Sequence, residues 1–272
     1  MSNEMTKRPA FSVVINSDRF KKSIMNTLQD ENRARRFISS IVSAVNTNPA
    51  LAECDASTII SGALLGESLN LSPSPQLGQY YLVPFNDNKR GCKVAQFQLG
   101  YKGYIQLAIR SGKYRKLNVL AIKEGELIRF DPLNEEIEIN LIEDEIVRES
   151  TPTIGYYAMF EYTNGFKKAI YWSKQKMESH AAQYSPGYKA HKGYTFWEKD
   201  FDGMAYKTML RQLISKWGVM SIEMQDVIAK DNGILRENNE VEFIGDTEAA
   251  PTDIPKQQDE PVEAETVTMD EL

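Results

Sequence analysis

Residues 88–123 combine basic and aromatic side chains in a pattern suited to binding a polyanion. The segment holds nine bases and no acid: Lys89, Arg90, Lys93, Lys102, Arg110, Lys113, Arg115, Lys116 and Lys123. Tyr101, Tyr104 and Tyr114 lie among them. Cations neutralise phosphates and release counterions, while aromatic faces stack on nucleic-acid bases of any identity. A solvated basic surface over buried tyrosines explains the same composition equally well, so both interpretations stay open.

A second basic and aromatic region extends from residue 166 to residue 211. Its bases are Lys167, Lys168, Lys174, Lys176, Lys189, Lys192, Lys199, Lys207 and Arg211, and its aromatic residues include Tyr184, Tyr188, Tyr194, Phe196 and Trp197. The loop 184–194 contains Pro186, Gly187 and Gly193, so it either folds over a ligand or anchors its rings in the core. We expect at least one of the rings among the lysines, with Phe196 as the main candidate, to stack on bases.

The two regions together predict one set of contacts to single-stranded nucleic acid. The set is Lys93, Lys102, Arg110, Lys113, Arg115, Lys116, Lys189, Lys192, Phe196, Lys199, Lys207 and Arg211. Lys102, Gln106 and Arg110 are spaced four apart, so on a helix they form one polar ridge. Lys207 and Arg211 share a helix face for the same reason.

Enzyme motifs are poorly represented. No GxxxxGK[ST] motif is present to cradle the phosphates of a nucleotide, and the spacing of Gly100 and Gly103 is a weak signal by itself. The residues nearest to a metal-site pattern are His180, His191, Glu198, Asp200 and Asp202. Asp200 and Asp202 are two apart on a predicted helix and therefore point in different directions. We predict no catalytic residue, no metal and no cofactor; a metal-dependent nuclease is the less favoured alternative.

The charge is distributed unevenly along the 272 residues. The net charge is −6, but residues 231–272 hold 13 acids and two bases, and residues 131–149 hold eight acids and one base. The remainder has 29 bases against 17 acids, as a nucleic-acid-binding surface requires. Two cysteines cannot build a disulfide scaffold, and no apolar run reaches the roughly 20 residues that span a bilayer. No secretory signal is visible at the N-terminus, so a reduced, cytoplasmic protein is expected.

Hydrophobic periodicity predicts a mixed α+β protein. Helical spacing is found at 31–46, after a cap at Asp55, at 101–110, at 174–184 after a cap at Ser173, in one long helix at 197–217, and at 221–230. Strands are predicted at 79–85, 92–98, 117–122, 126–130, 137–142, 154–162 and 166–172, with hairpin turns at 86–91 and 163–165. We divide the chain into an N-terminal arm (1–30), a body for DNA binding, annealing and oligomerisation (31–230) and an acidic flexible tail (231–272).

The central segment resembles the phage RecT family of single-strand annealing recombinases, which is grouped with the Red-beta proteins. The resemblance rests on LNLSP at 69–73, GQYYLVPF at 78–85, QFQLGYKGYIQLA at 96–108 and RSG at 110–112. Their order and spacing agree with the family over about residues 20–230. The long joined motif makes the match specific.

This resemblance implies a fold and a function. The fold is a curved antiparallel sheet with packed helices, similar to the core of the eukaryotic annealing mediators. The function is ATP-independent binding of single-stranded DNA and its annealing to a complement, with the nascent duplex held in an oligomeric ring or filament in the bacterial host cell. A phage 5′→3′ exonuclease is the implied partner, and residues 237–272 are expected to dock it or the host single-strand-binding protein. A tail that only keeps the protein in solution is an equally open interpretation of this acidic segment. A passive single-strand-coating protein is the alternative.

Overall fold

The computed structural model describes residues 11–74, 76–87, 90–193, 195–218, 225, 228–236 and 240–242. The helices of this part are α1 (Phe11–Ile15), α2 (Asp18–Leu28), α3 (Glu31–Thr47), α4 (Pro49–Ala52), α5 (Ala56–Ser68), α6 (Tyr101–Arg110), α7 (Glu145–Ser150), α8 (Lys174–Tyr184), α9 (Pro186–Lys189), α10 (Phe196–Lys199) and α11 (Phe201–Trp217). The strands are β1 (Tyr80–Asp87), β2 (Cys92–Leu99), β3 (Tyr114–Lys123), β4 (Leu127–Asp131), β5 (Glu136–Ile139), β6 (Thr153–Tyr162), β7 (Lys167–Ser173), β8 (Ile234–Leu235) and β9 (Val241–Glu242). The α+β class is confirmed.

The N-terminal helices belong to the body. Phe11 and Ile15 of α1 and Ile24 of α2 are buried in the same apolar cluster as the inner faces of α3 and α5. These side chains are spaced along the short amphipathic helices α1 and α2, and their burial stabilises both helices. The polar composition of residues 1–30 had predicted an arm instead. α1 and α2 therefore pack across the boundary expected at residue 30, against α3 and α5.

A tight antiparallel hairpin connects the helical part to the rest of the chain. β1 pairs with β2 in the register Tyr80 to Leu99 through Asp87 to Cys92, which agrees with the predicted strands. α5 packs against this hairpin. The side chain of Asp55 accepts a hydrogen bond from the backbone N–H of Ser57 at 2.9 Å, which confirms the predicted cap of α5.

The second half is built on a three-stranded antiparallel sheet of order β3-β6-β7. α8 and α11 pack against it and bury Met177, Met209 and Leu213 against Tyr156 and Phe160. The other sheets of the described residues are two-stranded: β1-β2, β4-β5 and β8-β9. The antiparallel pairing is as predicted, but the strands form several sheets. The excursion β4–β5–α7 is inserted between β3 and β6.

The long helix predicted at 197–217 is interrupted. Asp200 has a φ of −147° and caps α11 by accepting the N–H of Gly203 at 2.9 Å, so α10 and α11 are separate helices. The stripe spaced four apart is buried at Trp197 and Met209 but ends at Trp217, which is 48% exposed. A local cap therefore overrides a continuous helical pattern.

Contacts with the body continue beyond Lys230. The N–H of Phe97 donates to Gly233 O and the N–H of Asn232 donates to Phe97 O, both at 2.9 Å, so this segment runs along β2. Arg236 binds Asp87 and Glu242. The packed body thus reaches Glu242, past the boundary expected at residue 230. Most of the helix predicted at 221–230, and the rest of the tail, lie outside the described residues. Within the described residues, no helix is long and apolar enough to cross a membrane.

Candidate nucleic-acid interface

An aromatic pair with one exposed ring connects β1 to α10. The ring centroids of Tyr81 and Phe196 are 5.9 Å apart with an interplanar angle of 39°. Phe196 is 42% exposed, whereas its neighbour Trp197 is 5% exposed and lies in the core. Of these two consecutive residues, Phe196 therefore has its ring at the surface and Trp197 has its ring in the core. An exposed ring held by a second ring is suited to stacking on an unpaired base.

Close backbone packing positions Lys102 beside this pair. A Cβ on Gly100 would lie 2.1 Å from the carbonyl oxygen of Gly78, and a Cβ on Gly103 would lie 2.2 Å from that of Gln79. Both positions therefore need glycine for α6 to begin against the start of β1. Lys102 is exposed, and its stem and the hydroxyl of Tyr81 both border Gly78.

Three further exposed bases lie on α9, on α10 and in the turn between them. Glu198 accepts the N–H groups of Gly193 and Thr195 at 2.8 and 3.1 Å. These bonds hold the pKa of Glu198 below its usual value, the bond from Gly193 contributing most. The carboxylate thus fixes the turn to α10. Exposed on this α9–α10 unit are Lys189, Lys192 and Lys199, and Lys199 is one turn from Phe196.

Three bases surround one carboxylate at the sheet edge. Glu161 is 4% exposed and lies 3.2 Å from Arg115, 3.9 Å from Lys116 and 3.6 Å from Lys167. Each of the three bases keeps a side-chain exposure of 64 or 65%. One carboxylate cannot neutralise three cations, so the cluster has a surplus of two positive charges. Lys113 is exposed nearby, at the start of β3. Lys167 was not in the predicted set. The pairing of β6 with β7 brings it beside Glu161, and a single sequence does not give that register.

Arg110 and Lys93 make contacts within the body. The guanidinium of Arg110 donates to the carbonyl oxygens of Leu69 and Asn70 at 2.5 and 2.8 Å, beyond the C-terminal end of α5. Lys93 is 2.5 Å from Glu53. Arg110 thus connects α6 to α5, while Lys93 is part of a surface ion pair.

Lys207 and Arg211 lie in the interior. They are 5% and 2% exposed, and each is 3.4 Å from a carboxylate oxygen of Asp231. Asp231 also accepts the N–H of Leu99 at 2.7 Å and the hydroxyl of Tyr104 at 3.3 Å. The predicted shared face is correct, but the face is covered by the C-terminal segment. Neither residue is therefore part of the exposed basic surface.

The predicted loop aromatics divide in the same way. Tyr188 packs against Trp197 and Phe201, with centroids 6.2 and 6.1 Å apart. Tyr184 contacts His180 at 4.6 Å. Tyr188 is therefore packed on the core, whereas Tyr184 is half-buried beside His180 of the same helix. Tyr194 lies outside the described residues.

The carboxylates that suggested a nuclease have structural partners. Glu198 forms a capping box with Thr195, Asp200 caps α11, and Asp202 accepts the hydroxyl of Tyr156 at 2.6 Å. Within the described ranges, no group of three or more His, Cys, Asp or Glu residues is placed to hold a metal ion.

Exposed bases together with an exposed aromatic ring on an α+β body are features found in proteins that bind nucleic acid without reading its sequence. The RecT family pattern matches residues 35–246. The chain is 42% identical over 200 residues to the uncharacterized protein YqaK of Bacillus subtilis strain 168, covering 74% of this chain and 65% of YqaK. It is 30% identical over 225 residues to Protein RecT of Escherichia coli K12, covering 80% of this chain and 78% of that protein. The chain belongs to the RecT family, a family of DNA-annealing recombination proteins.

Proposed function

We propose that this protein binds single-stranded DNA, anneals it to a complementary strand without nucleotide hydrolysis, and holds the nascent duplex in an oligomeric filament. The observation that supports this best is the exposed ring of Phe196, held on Tyr81 beside Lys102. Family membership supports the same function. The proposed contact surface consists of Lys102, Lys113, Arg115, Lys116, Lys167, Lys189, Lys192, Phe196 and Lys199.

The arrangement of the bases suits a strand that passes along α6. Lys102 is at the first turn of this helix and Lys113 follows its end. At 1.5 Å per residue, the nine steps along α6 separate its two ends by about 13 Å. The bases at both ends of α6 contact the DNA backbone at more than one phosphate. Phosphate contacts carry no sequence information, so strands of any sequence bind equally. Annealing requires this, since every complementary pair must be accepted.

Base pairing supplies the driving force in this proposal. Each stacked base-pair step contributes on the order of 1.4 kcal/mol, so the protein has to concentrate the strands, cancel phosphate repulsion and keep the bases accessible. No nucleotide needs to be hydrolysed for those tasks. The proposal therefore agrees with a sequence that has no P-loop motif.

A fluorescence-quench assay with two complementary oligonucleotides, in EDTA and without ATP, tests the proposal. We expect the protein to accelerate annealing under these conditions. A protein that binds both strands without accelerating annealing is a passive coat. Metal-dependent shortening of the oligonucleotides would instead identify a nuclease. Either result would overturn the proposal.

Phe196→Ala tests the stacking surface itself. We expect a loss of affinity for single-stranded DNA of about tenfold or more, since base stacking on an aromatic ring contributes roughly 1–3 kcal/mol. The melting temperature should be retained because the ring is 42% exposed. Phe85→Ala is the matched control, an exposed phenylalanine in β1 outside the proposed surface. Equal affinities for the two variants would exclude Phe196 as a stacking residue.

The partners follow from the same proposal. A 5′→3′ exonuclease would supply the single strands, and residues 237–272 would dock it or a host single-strand-binding protein. Acidic residues are frequent in this segment, so it would be repelled from DNA and remain available to a protein.

A further inference from the structure

The insertion 124–152, which joins β3 to β6, combines negative charge with exposed apolar side chains. It holds ten acids and two bases, Arg129 and Arg148. Thirteen large hydrophobic side chains are exposed among the described residues, and five are in this insertion: Ile128, Leu133, Leu141, Ile146 and Val147. Ile146 is 82% exposed and Leu133 is 88% exposed. Apolar side chains concentrated in this way mark a surface that meets a partner.

The insertion is held rigidly at its base. The buried carboxylate of Glu126 accepts Arg148 Nε at 2.6 Å, the N–H of Lys123 at 2.7 Å and the N–H of Ile142 at 3.2 Å. Arg148 also donates to the carbonyl oxygen of Ala121 in β3 at 2.8 Å. These bonds join both ends of the insertion to the central sheet.

The hairpin β4–β5 is fixed to the sheet as well. Glu135 pairs with Lys168 of β7, and the ring of Phe130 lies 5.1 Å from that of Tyr171. The hairpin is therefore an arm packed on the body. A surface that is ordered before binding loses less conformational entropy when a partner docks.

α7 presents its apolar side chains outward. Asp144 caps it by accepting the N–H groups of Ile146 and Val147 at 3.0 and 3.1 Å. None of its residues is buried. Glu145 and Glu149 border Ile146 along the helix and are exposed. The helix thus displays an apolar residue with an acidic rim.

A symmetric contact between two copies of this surface is unfavourable. In an isologous dimer each patch meets itself, so ten acids and two bases would face the same charges. A partner surface of opposite charge with an exposed apolar centre is needed instead.

α2 has that complementary chemistry. Met25 is 37% exposed, and Lys21 and Lys22 precede it by four and three residues, on the same helix face. Val13 on α1 is 63% exposed. None of these residues belongs to the proposed DNA-contacting set.

We propose that the chain assembles head to tail, with α7 of one copy docked on α2 of the next. Ile146 packs against Met25, and Glu145 and Glu149 face Lys21 and Lys22. The contact is heterologous, so each copy keeps one free surface of each kind and the assembly extends or closes into a ring. The inference rests on the oligomer of the proposed function and specifies its interface.

Charge exchange in the full-length protein, without DNA, tests the interface. Light scattering at micromolar concentration should show that Glu145→Lys with Glu149→Lys reduces the assembly to monomers, and that Lys21→Glu with Lys22→Glu does the same. The four substitutions together should restore it, because the pairing is reversed but retained. Asp259→Lys with Glu260→Lys changes the net charge by the same amount outside the interface and should leave the mass unchanged. Circular dichroism should show that every variant is folded.

Two results would overturn the proposal. One is a wild-type mass in either double variant. The other is failure of the fourfold variant to assemble while it remains folded. Because the assay contains no DNA, loss of assembly is measured separately from loss of annealing, and an assembling protein that does not anneal would contradict only the proposed function.

Cysteine cross-linking gives a direct readout of the geometry. In a Cys92→Ser background, Met25→Cys with Ile146→Cys should form a ladder of covalent oligomers on mild oxidation, since each copy contributes two different sites. Each single cysteine variant should form no ladder. Cross-linking that stops at dimers in the double variant would indicate a symmetric contact and contradict the head-to-tail arrangement.

Discussion

Asp231 is the carboxylate on which two buried cations depend. Lys207 and Arg211 both approach it at 3.4 Å, and it also accepts a backbone N–H of β2. Asp231→Ala would remove a buried carboxylate that contacts both cations, and breaking a buried pair in this way costs about 3–5 kcal/mol. Urea unfolding should show this loss, whereas Glu178→Ala, on the exposed face of α8, should stay within about 0.5 kcal/mol of wild type. Equal stability of the two variants would contradict a structural role for Asp231.

The sequence alone did not show which of the predicted bases reach the surface. Lys199 and Lys207 were both predicted to contact DNA, yet Lys199 is exposed and Lys207 is buried. The difference arises because Asp231 folds back onto α11, a contact that periodicity does not encode. Phe196 and Trp197 are separated for a similar reason: the break at Asp200 sets the orientation of α10.

At the scale of elements, the junction of α6 with β1 depends on Gly103. A glycine to alanine change inside a helix ordinarily stabilises it by up to about 1 kcal/mol. Here the added Cβ would lie 2.2 Å from the carbonyl oxygen of Gln79 and 2.8 Å from Leu99. Gly103→Ala should therefore lower the melting temperature and weaken DNA binding through displacement of Lys102. Gln106→Ala in the same helix is the control, and a melting temperature raised by Gly103→Ala would refute the close packing.

The bonds from the Glu126 carboxylate, which hold the insertion 124–152 on the sheet, should weaken in acid. Burial acts to raise the pKa of Glu126, but the bonds from Arg148, Lys123 and Ile142 together outweigh it and hold that pKa below its ordinary value. A carboxyl whose folded pKa is lowered stabilises the fold above the unfolded value, near 4.3, and this contribution is lost as the pH falls through the folded value.

Comparison with Glu126→Gln isolates that contribution, because all other carboxyls are shared. The free energy of unfolding of wild type should exceed that of the variant at neutral pH, and the difference should shrink below about pH 4. A difference that stays constant down to about pH 3 would contradict the anchoring role.

The sequence predicted the elements that are specified by a few adjacent residues. It did not predict the elements that are stabilised by packing against residues far away in the chain. The hairpin turns, the cap at Asp55 and the cap at Ser173 each follow from a few adjacent residues, and the structure confirms them. α1 and α2 were missed because each is short and buries few side chains. Their stability comes from packing on α3 and α5, which a polar composition does not reveal.

At the scale of the whole molecule, packing against β2 continues past the boundary expected at residue 230. Residues 231–236 and 240–242 contact β2 and the β1–β2 turn, and Glu242 pairs with Arg90 and Arg236. The family match extends to residue 246. Charge alone placed the boundary at residue 230, because acids dominate from Asp231 onward. Yet the first of those acids is the counter-ion of buried cations, a role that net charge does not distinguish from a solvated tail.

Two truncations separate the body from the acidic segment that follows it. Residues 243–272 hold nine acids and one lysine, so ending the chain at Glu242 turns the net charge of −6 into +2. We expect this variant to keep the wild-type melting temperature and to bind single-stranded DNA more tightly at low salt, an advantage that salt screening removes.

Ending the chain at Lys230 also deletes Asp231, so the buried cations lose their counter-charge and the melting temperature should fall. Annealing of naked oligonucleotides should persist in the longer variant and fail in the shorter one above its lowered melting temperature. Loss of annealing in the longer variant, with the fold intact, would place residues 243–272 in the annealing machinery.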